Sequence, residues 1–273
     1  MKTRRAGASA QPQYSREERF THDDLTLVAK HLDGPTDALF VLVHGIGVAS
    51  RYFGPLARAL APYGAVIALE LPGMGSTPEP RHAASIERYA DLLAAWARHE
   101  NLADATVVGH SMGTQITTEF ALRAPDAVGR VVLIGAVTNP AERSVTKQAL
   151  RLAQDSLKER LDVNLIVFTD YLRCGPRWML KIAPVMRDYP LLTRAARVSQ
   201  PALVMRGEHD PISPRVWNRA IAGALPAGTM VELPGQAHVG MYTDAERASG
   251  IIATFAQGGQ ATRSAPRQNT SAP

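Results

Sequence analysis

Apolar residues fall into short continuous runs separated by stretches of helical spacing. The runs are Ala38–His44, Gly64–Leu69, Ala105–Val108, Arg130–Gly135, Ala202–Arg206 and Met230–Leu233. A run with no polar alternation predicts a strand covered on both faces, as in a parallel sheet. Between the runs lie amphipathic segments. Ser85 is placed to cap a helix to about His99, with Ile86, Tyr89, Ala90, Leu93, Trp96 and Ala97 on one face. Helices are also expected over Phe53–Ala61, Gly113–Ala124, Pro214–Ala224 and Asp244–Ala256. Leu25–Leu32 alternates loosely and reads as an edge strand.

Strands alternating with helices predict an α/β fold with a doubly wound, mostly parallel sheet. The rhythm stops between Asn139 and Val198, where the pattern is helical and broken at Gly175-Pro176, Pro184 and Pro190. The expected organisation is a core in two parts, 21–138 and 199–257, a helical insertion at 139–198, and polar disordered tails at 1–20 and 258–273.

Composition narrows the function classes. With 273 residues, 45% hydrophobic and 20% charged, the chain reads as globular. No apolar stretch approaches the length of a membrane span, and residues 1–13 lack the apolar region of a secretory leader, so a cytoplasmic protein is expected. A single cysteine, Cys174, excludes an internal disulfide and a cysteine-based metal cluster; no metal or cofactor is expected. The net charge of +5 invites a nucleic-acid partner, but the two tails carry the whole excess. The chain between the tails sums to zero charge, so nucleic acid is not expected as a partner. A small-molecule substrate and a monomer or homodimer are.

Candidate chemistry gathers at the strand ends, where ligands bind in parallel α/β sheets. Thr106-Val-Val-Gly-His-Ser-Met-Gly113 joins a buried strand to a helix through Gly-x-Ser-x-Gly. Glycines two positions either side of Ser111 permit a sharp turn that exposes its hydroxyl at a helix N-terminus. A serine hydroxyl needs a base, and the base a carboxylate to orient it. Of the eight histidines, His238 follows the last strand; His44 and His110, each beside a glycine, read as structural. Asp210 lies beyond a strand end, with Glu208 as the second candidate acid. The Met112 N–H is one donor for an oxyanion. The other is expected from His44-Gly-Ile-Gly47, at Ile46.

Five motifs then stand in order: His44-Gly-Ile-Gly47, Leu71-Pro-Gly-Met-Gly-Ser76, Gly109-His-Ser-Met-Gly113, Gly207-Glu-His-Asp210 and Gly235-Gln-Ala-His238. Over about residues 22–257 the chain resembles the α/β-hydrolase superfamily, in its compact bacterial esterase, lipase, haloperoxidase-like and meta-cleavage-product hydrolase group. The resemblance implies Ser111, Asp210 and His238 as a triad, Ile46 and Met112 as oxyanion hole, and 139–198 as a cap over the pocket. Glu70 departs from the aspartate usual before Leu-Pro-Gly-x-Gly. Gly45, Gly47, His110, Phe168, Tyr171, Trp178, Met179 and Val239 are expected to line the pocket. Arg143, Lys147 and Arg151 form a basic helical stripe, and Ser50, Arg51 and Tyr52 lie just past the oxyanion loop. The expected function is a metal-free serine esterase acting on a small apolar substrate through an acyl-enzyme. C–C bond hydrolysis or perhydrolysis on the same triad, and a low-turnover ligand receptor, are the alternatives.

Overall fold

The computed structural model describes residues 11–35, 38–139 and 161–259, with side chains from 164 onward in the last segment. The stripe Arg143, Lys147 and Arg151, the first part of the expected cap, residues 1–10 and the C-terminal tail from 260 lie outside the described residues.

Eight strands form one sheet: β1 (Arg16–His22), β2 (Leu25–Leu32), β3 (Leu39–Val43), β4 (Ala65–Glu70), β5 (Ala105–His110), β6 (Val128–Ile134), β7 (Ala202–Gly207) and β8 (Gly228–Leu233). Their order is β1-β2-β4-β3-β5-β6-β7-β8. The β1–β2 and β2–β4 pairs are antiparallel and the rest parallel. Successive side chains of the central strands point to opposite faces. Val41, Val43, Val107, Val131 and Leu133 enter one apolar cluster, and Phe40, Leu42, Val108, Val132 and Ile134 the other. Both faces are covered, which is why these strands read as unbroken apolar runs.

Helices α2 (Ile86–His99), α3 (Met112–Arg123) and α7 (Arg215–Ala224) cover the first face; α1 (Gly54–Leu60) and α9 (Ala245–Ala256) cover the second. The Ser85 hydroxyl accepts the Arg88 N–H at 3.2 Å, capping α2. A short helix, α8 (Gly240–Thr243), precedes α9. Between β6 and β7 stand α4 (Leu161–Cys174), α5 (Pro176–Asp188) and α6 (Leu191–Ala195).

Two elements differ from expectation. β2 is not an edge: β1 flanks it, beginning at Arg16 inside the expected N-terminal tail. β1 is an edge strand held by Phe20 and by charge pairs, with Lys30 against Glu17 and Arg16 against Glu100 at 2.6 Å. Its sequence therefore carries little apolar period, and the charges guard the edge.

The insertion is tied to the core by Glu119 of α3, whose side chain is fully buried. Glu119 accepts the Tyr189 hydroxyl at 2.9 Å, Arg123 at 2.5 Å and the Arg194 guanidinium. Burial opposes ionisation, but these donors prevail and hold the carboxyl below its ordinary value. Removing one partner of such a cluster leaves uncompensated buried charge. Arg194→Ala, which strips the buried Glu119 carboxylate of its two-pronged partner, should lower unfolding stability by about 3–5 kcal/mol in urea titrations; a change under about 1 kcal/mol would contradict the role.

Candidate active site

The turn from β5 into α3 passes through Ser111 at φ 55°, ψ −123°. This is a sparsely populated conformation for a residue with a side chain. The neighbouring backbones pack closely around the turn. A side chain at Gly109 would overlap the Gly113 carbonyl, and one at Gly113 the Val43 carbonyl. Ser111 is the one residue from 105 to 121 that is not buried. Its hydroxyl stands at the N-terminus of α3, where helix N–H groups favour negative charge.

The loop after β3 closes on it. A Cβ at Gly45 would lie 2.9 Å from the Ser111 Cβ and 3.3 Å from its Oγ, so backbone beside Ile46 passes within contact of the serine. The loop is fixed by His44, which is fully buried. Its Nε2 accepts the Leu71 N–H at 3.0 Å, so Nδ1 carries the proton and donates to the Gly45 carbonyl at 2.7 Å. Burial holds the ring below its ordinary pKa, against the opposing Gly45 hydrogen bond.

On the other side, the His238 Nδ1–H donates to Asp210 Oδ2 at 2.8 Å, leaving Nε2 unprotonated in the neutral ring. Asp210 Oδ1 accepts the N–H groups of Ile212 and Ser213 at 2.8 and 2.9 Å. Desolvation opposes the charged carboxylate, but His238 and these N–H groups outweigh it and lower its pKa. Glu208 turns elsewhere and accepts the Gly235 N–H at 2.9 Å. Gly135, at φ 57°, gives the pair room: a Cβ there would come within 2.9 Å of the His238 ring.

His110 supports this arrangement. Its Nε2–H donates to the His238 carbonyl at 3.1 Å, and its ring lies 4.7 Å from the His238 ring and 5.4 Å from Tyr52. Burial, then the charge of His238, pushes its pKa down to about 3, so it stays neutral. Arg206 was not anticipated: at the end of β7 its guanidinium donates to the Asp210 carbonyl at 3.0 Å and the Ser213 carbonyl at 2.8 Å. An arginine in an otherwise apolar strand run was the available signal.

The expected pocket residues separate. Tyr171 and Met179 press on the loop after β3, at 2.7 and 3.0 Å from a Cβ built on Gly47. Trp178 is buried against Gly73. Val239 packs in the apolar cluster beneath α1 and α9. Phe168 stands 59% exposed on α4.

The sequence profile of the alpha/beta hydrolase family matches residues 40–249. The chain belongs to the alpha/beta hydrolase family. Among its curated relatives is an (E)-2-((N-methylformamido)methylene)succinate hydrolase of Acinetobacter baylyi, 25% identical over 76% of this chain and 86% of that protein. A poly(3-hydroxyalkanoate) depolymerase of Ectopseudomonas oleovorans is 25% identical over 80% and 83%. The bromoperoxidase of Bacillus anthracis shares the fold, with a TM-score of 0.77 at 16% identity over 89% of this chain and all of that one. Membership fits the observed sheet order and the helices inserted between β6 and β7.

Glu70, where the family resemblance leads one to expect aspartate, is buried and fully engaged. It accepts the Ser50 hydroxyl at 2.7 Å, the Ser76 N–H and hydroxyl at 2.8 and 2.6 Å, and Lys30 at 3.0 Å. Desolvation would raise its pKa, but the two serines and Lys30 bring it down to about 2. A pKa lowered on folding stabilises above the unfolded value, near 4.5, and the gain disappears as pH falls towards 2. The stability difference between wild type and Glu70→Gln should therefore be largest above about pH 5 and shrink by about 2–3 kcal/mol by pH 2, read by chemical denaturation. A pH-independent difference would contradict the assignment.

Proposed function

We propose that the chain is a serine hydrolase that cleaves an ester-like bond of a small, largely apolar substrate through an acyl-enzyme on Ser111. The observation that carries this reading is the hydrogen bond from His238 Nδ1 to the buried Asp210, which fixes the tautomer a general base requires. Ser111 Oγ attacks the carbonyl carbon while His238 Nε2 takes its proton. The tetrahedral oxyanion is received by the N–H groups of Met112 and Ile46. His238 returns the proton to the leaving oxygen, the C–O bond breaks, and water repeats the sequence to release the acid and restore Ser111. Asp210 orients the ring and stabilises it when charged.

The helices at 161–195 act as the cap in this reading, with Tyr171 and Met179 facing the oxyanion loop. The relatives named as an (E)-2-((N-methylformamido)methylene)succinate hydrolase and a poly(3-hydroxyalkanoate) depolymerase support this reading.

The test is labelling by a fluorophosphonate probe together with turnover of p-nitrophenyl esters of graded chain length. Wild type should label and turn over. Ser111→Ala and His238→Ala should do neither, and Asp210→Asn should lower kcat by about 10⁴-fold. A folded wild type that does not label would overturn the reading. Peroxide-dependent bromination in a carboxylate buffer without ester turnover would move it to perhydrolysis.

A further inference from the structure

The oxyanion loop is gripped from two sides. On the core side, the Ser50 hydroxyl is held by Glu70, and the Gly47 N–H points at the Met74 sulfur at 3.3 Å. On the other side the grip comes from the insertion. Asp170 of α4 is 4% exposed. Its Oδ2 accepts the Ala49 N–H at 3.3 Å, and its Oδ1 accepts the Arg51 Nε–H at 2.6 Å. The same guanidinium donates to the Thr169 hydroxyl at 2.6 Å and the Ile166 carbonyl at 3.3 Å. Tyr171, the next residue, lies against Gly47.

Burying a carboxylate is costly unless it is paired. Asp170 sits late in α4, away from the helix N-terminus where a carboxylate would serve its own helix. Both of its partners belong to the loop, on the far side of 119 residues of chain. The charge is thus placed to join two elements. Glu70 and Asp170 hold adjacent residues, Ser50 and Ala49, one from the sheet and one from the insertion. The backbone between Gly45 and Ala49 is therefore set by the insertion as well as by the core.

We propose that Asp170 is a positioning residue for the oxyanion hole: seating α4 on Ala49 and Arg51 sets the path of the loop and aims the Ile46 N–H. This rests on the serine-hydrolase reading and deepens it. With α4 seated, the hole is complete. With α4 unseated, Ser111, His238 and Asp210 keep their geometry but the loop loses one of its two supports. Seating of the insertion then controls chemistry and not only access.

The test compares full-length wild type, Asp170→Ala, Asp170→Asn and Arg51→Lys, with Leu172→Gln on the exposed side of α4 as control. Active sites are counted by end-point fluorophosphonate labelling, so that loss of folded protein does not enter kcat. Each variant is then measured for p-nitrophenyl ester turnover and for inhibition by an alkylboronic acid, whose tetrahedral adduct on serine places an oxygen in the hole. Asp170→Ala should lower kcat per labelled site by about 30- to 300-fold, with KM within about threefold. The boronic acid Ki should rise in step with the fall in kcat/KM. Asp170→Asn, which keeps an oxygen for the Ala49 N–H, should recover at least about fivefold over alanine. Leu172→Gln should match wild type.

A merely structural role predicts a lower melting temperature and fewer labelled sites, with normal kcat for each site. That result overturns the proposal, as does a fall in kcat without a matching change in Ki. If Asp170→Ala does not fold, the asparagine and Arg51→Lys variants decide by the same two readouts. A wild type inert to probe, ester and boronic acid would remove the hydrolase reading itself. An active wild type with unchanged Asp170 variants would remove only this inference.

Discussion

The geometry of the site depends on one backbone constraint. Ser111 is held at positive φ between a strand and a helix that approach too closely for side chains at 109 and 113. The strain is about 1–3 kcal/mol for such a residue and persists because packing around it over-determines the turn. The Ser111 N–H donates to the Ile134 carbonyl at 3.0 Å, and the Thr114 N–H to the Ser111 carbonyl at 3.0 Å. The contact between Gly113 and the Val43 carbonyl brings the start of α3 against the end of β3. That single approach juxtaposes the serine, the helix N-terminus and the loop at 45–47. On the opposite side, β6 ends in Gly135, which leaves space for the Asp210–His238 pair.

Buried charge is placed around this turn with consistent logic. Asp210, Glu70, Glu119 and Asp170 are each almost fully buried, and each is met by donors from a different part of the chain. Asp210 faces a histidine. Glu70 and Asp170 face the loop after β3, at Ser50, Ala49 and Arg51, and Glu119 anchors the segment where the insertion returns to the sheet. Ion pairs of this kind add little net stability, since desolvation offsets their attraction, but they fix position. A cavity of about 370 Å³ lies beside the loop, walled by Lys30, Arg51, Glu70 and Asp170 among others.

Much of this was legible in the sequence. Central strands such as β3 and β6 are buried on both faces, so their apolar runs are unbroken. The Ser85 cap is a local side-chain to backbone bond that local sequence specifies. β1 carries little strand signal because an exposed edge strand is held chiefly by its backbone ladder with β2, and Arg16, Glu17, Glu18 and Arg19 show no apolar period. Asp210 is the first candidate acid in the sequence because it lies further beyond the strand end than Glu208, and the path of the loop after β7 brings Asp210 to His238 and turns Glu208 to the Gly235 N–H. Tyr171 and Phe168 could not be told apart: which face of α4 looks inward is set by docking, not by composition. Arg51 stood near the expected site, but its carboxylate partner lies 119 residues further along the chain.

The central claim is that Ser111 becomes covalently acylated. The direct measurement is rapid acid quench of the enzyme with p-nitrophenyl acetate, followed by peptide mass spectrometry. The account predicts one acetyl group on the peptide carrying Ser111, formed within the burst of nitrophenol and lost at the rate of steady-state turnover. Turnover with no acetyl on that peptide, or with the same rate in a Ser111→Ala variant, would contradict it.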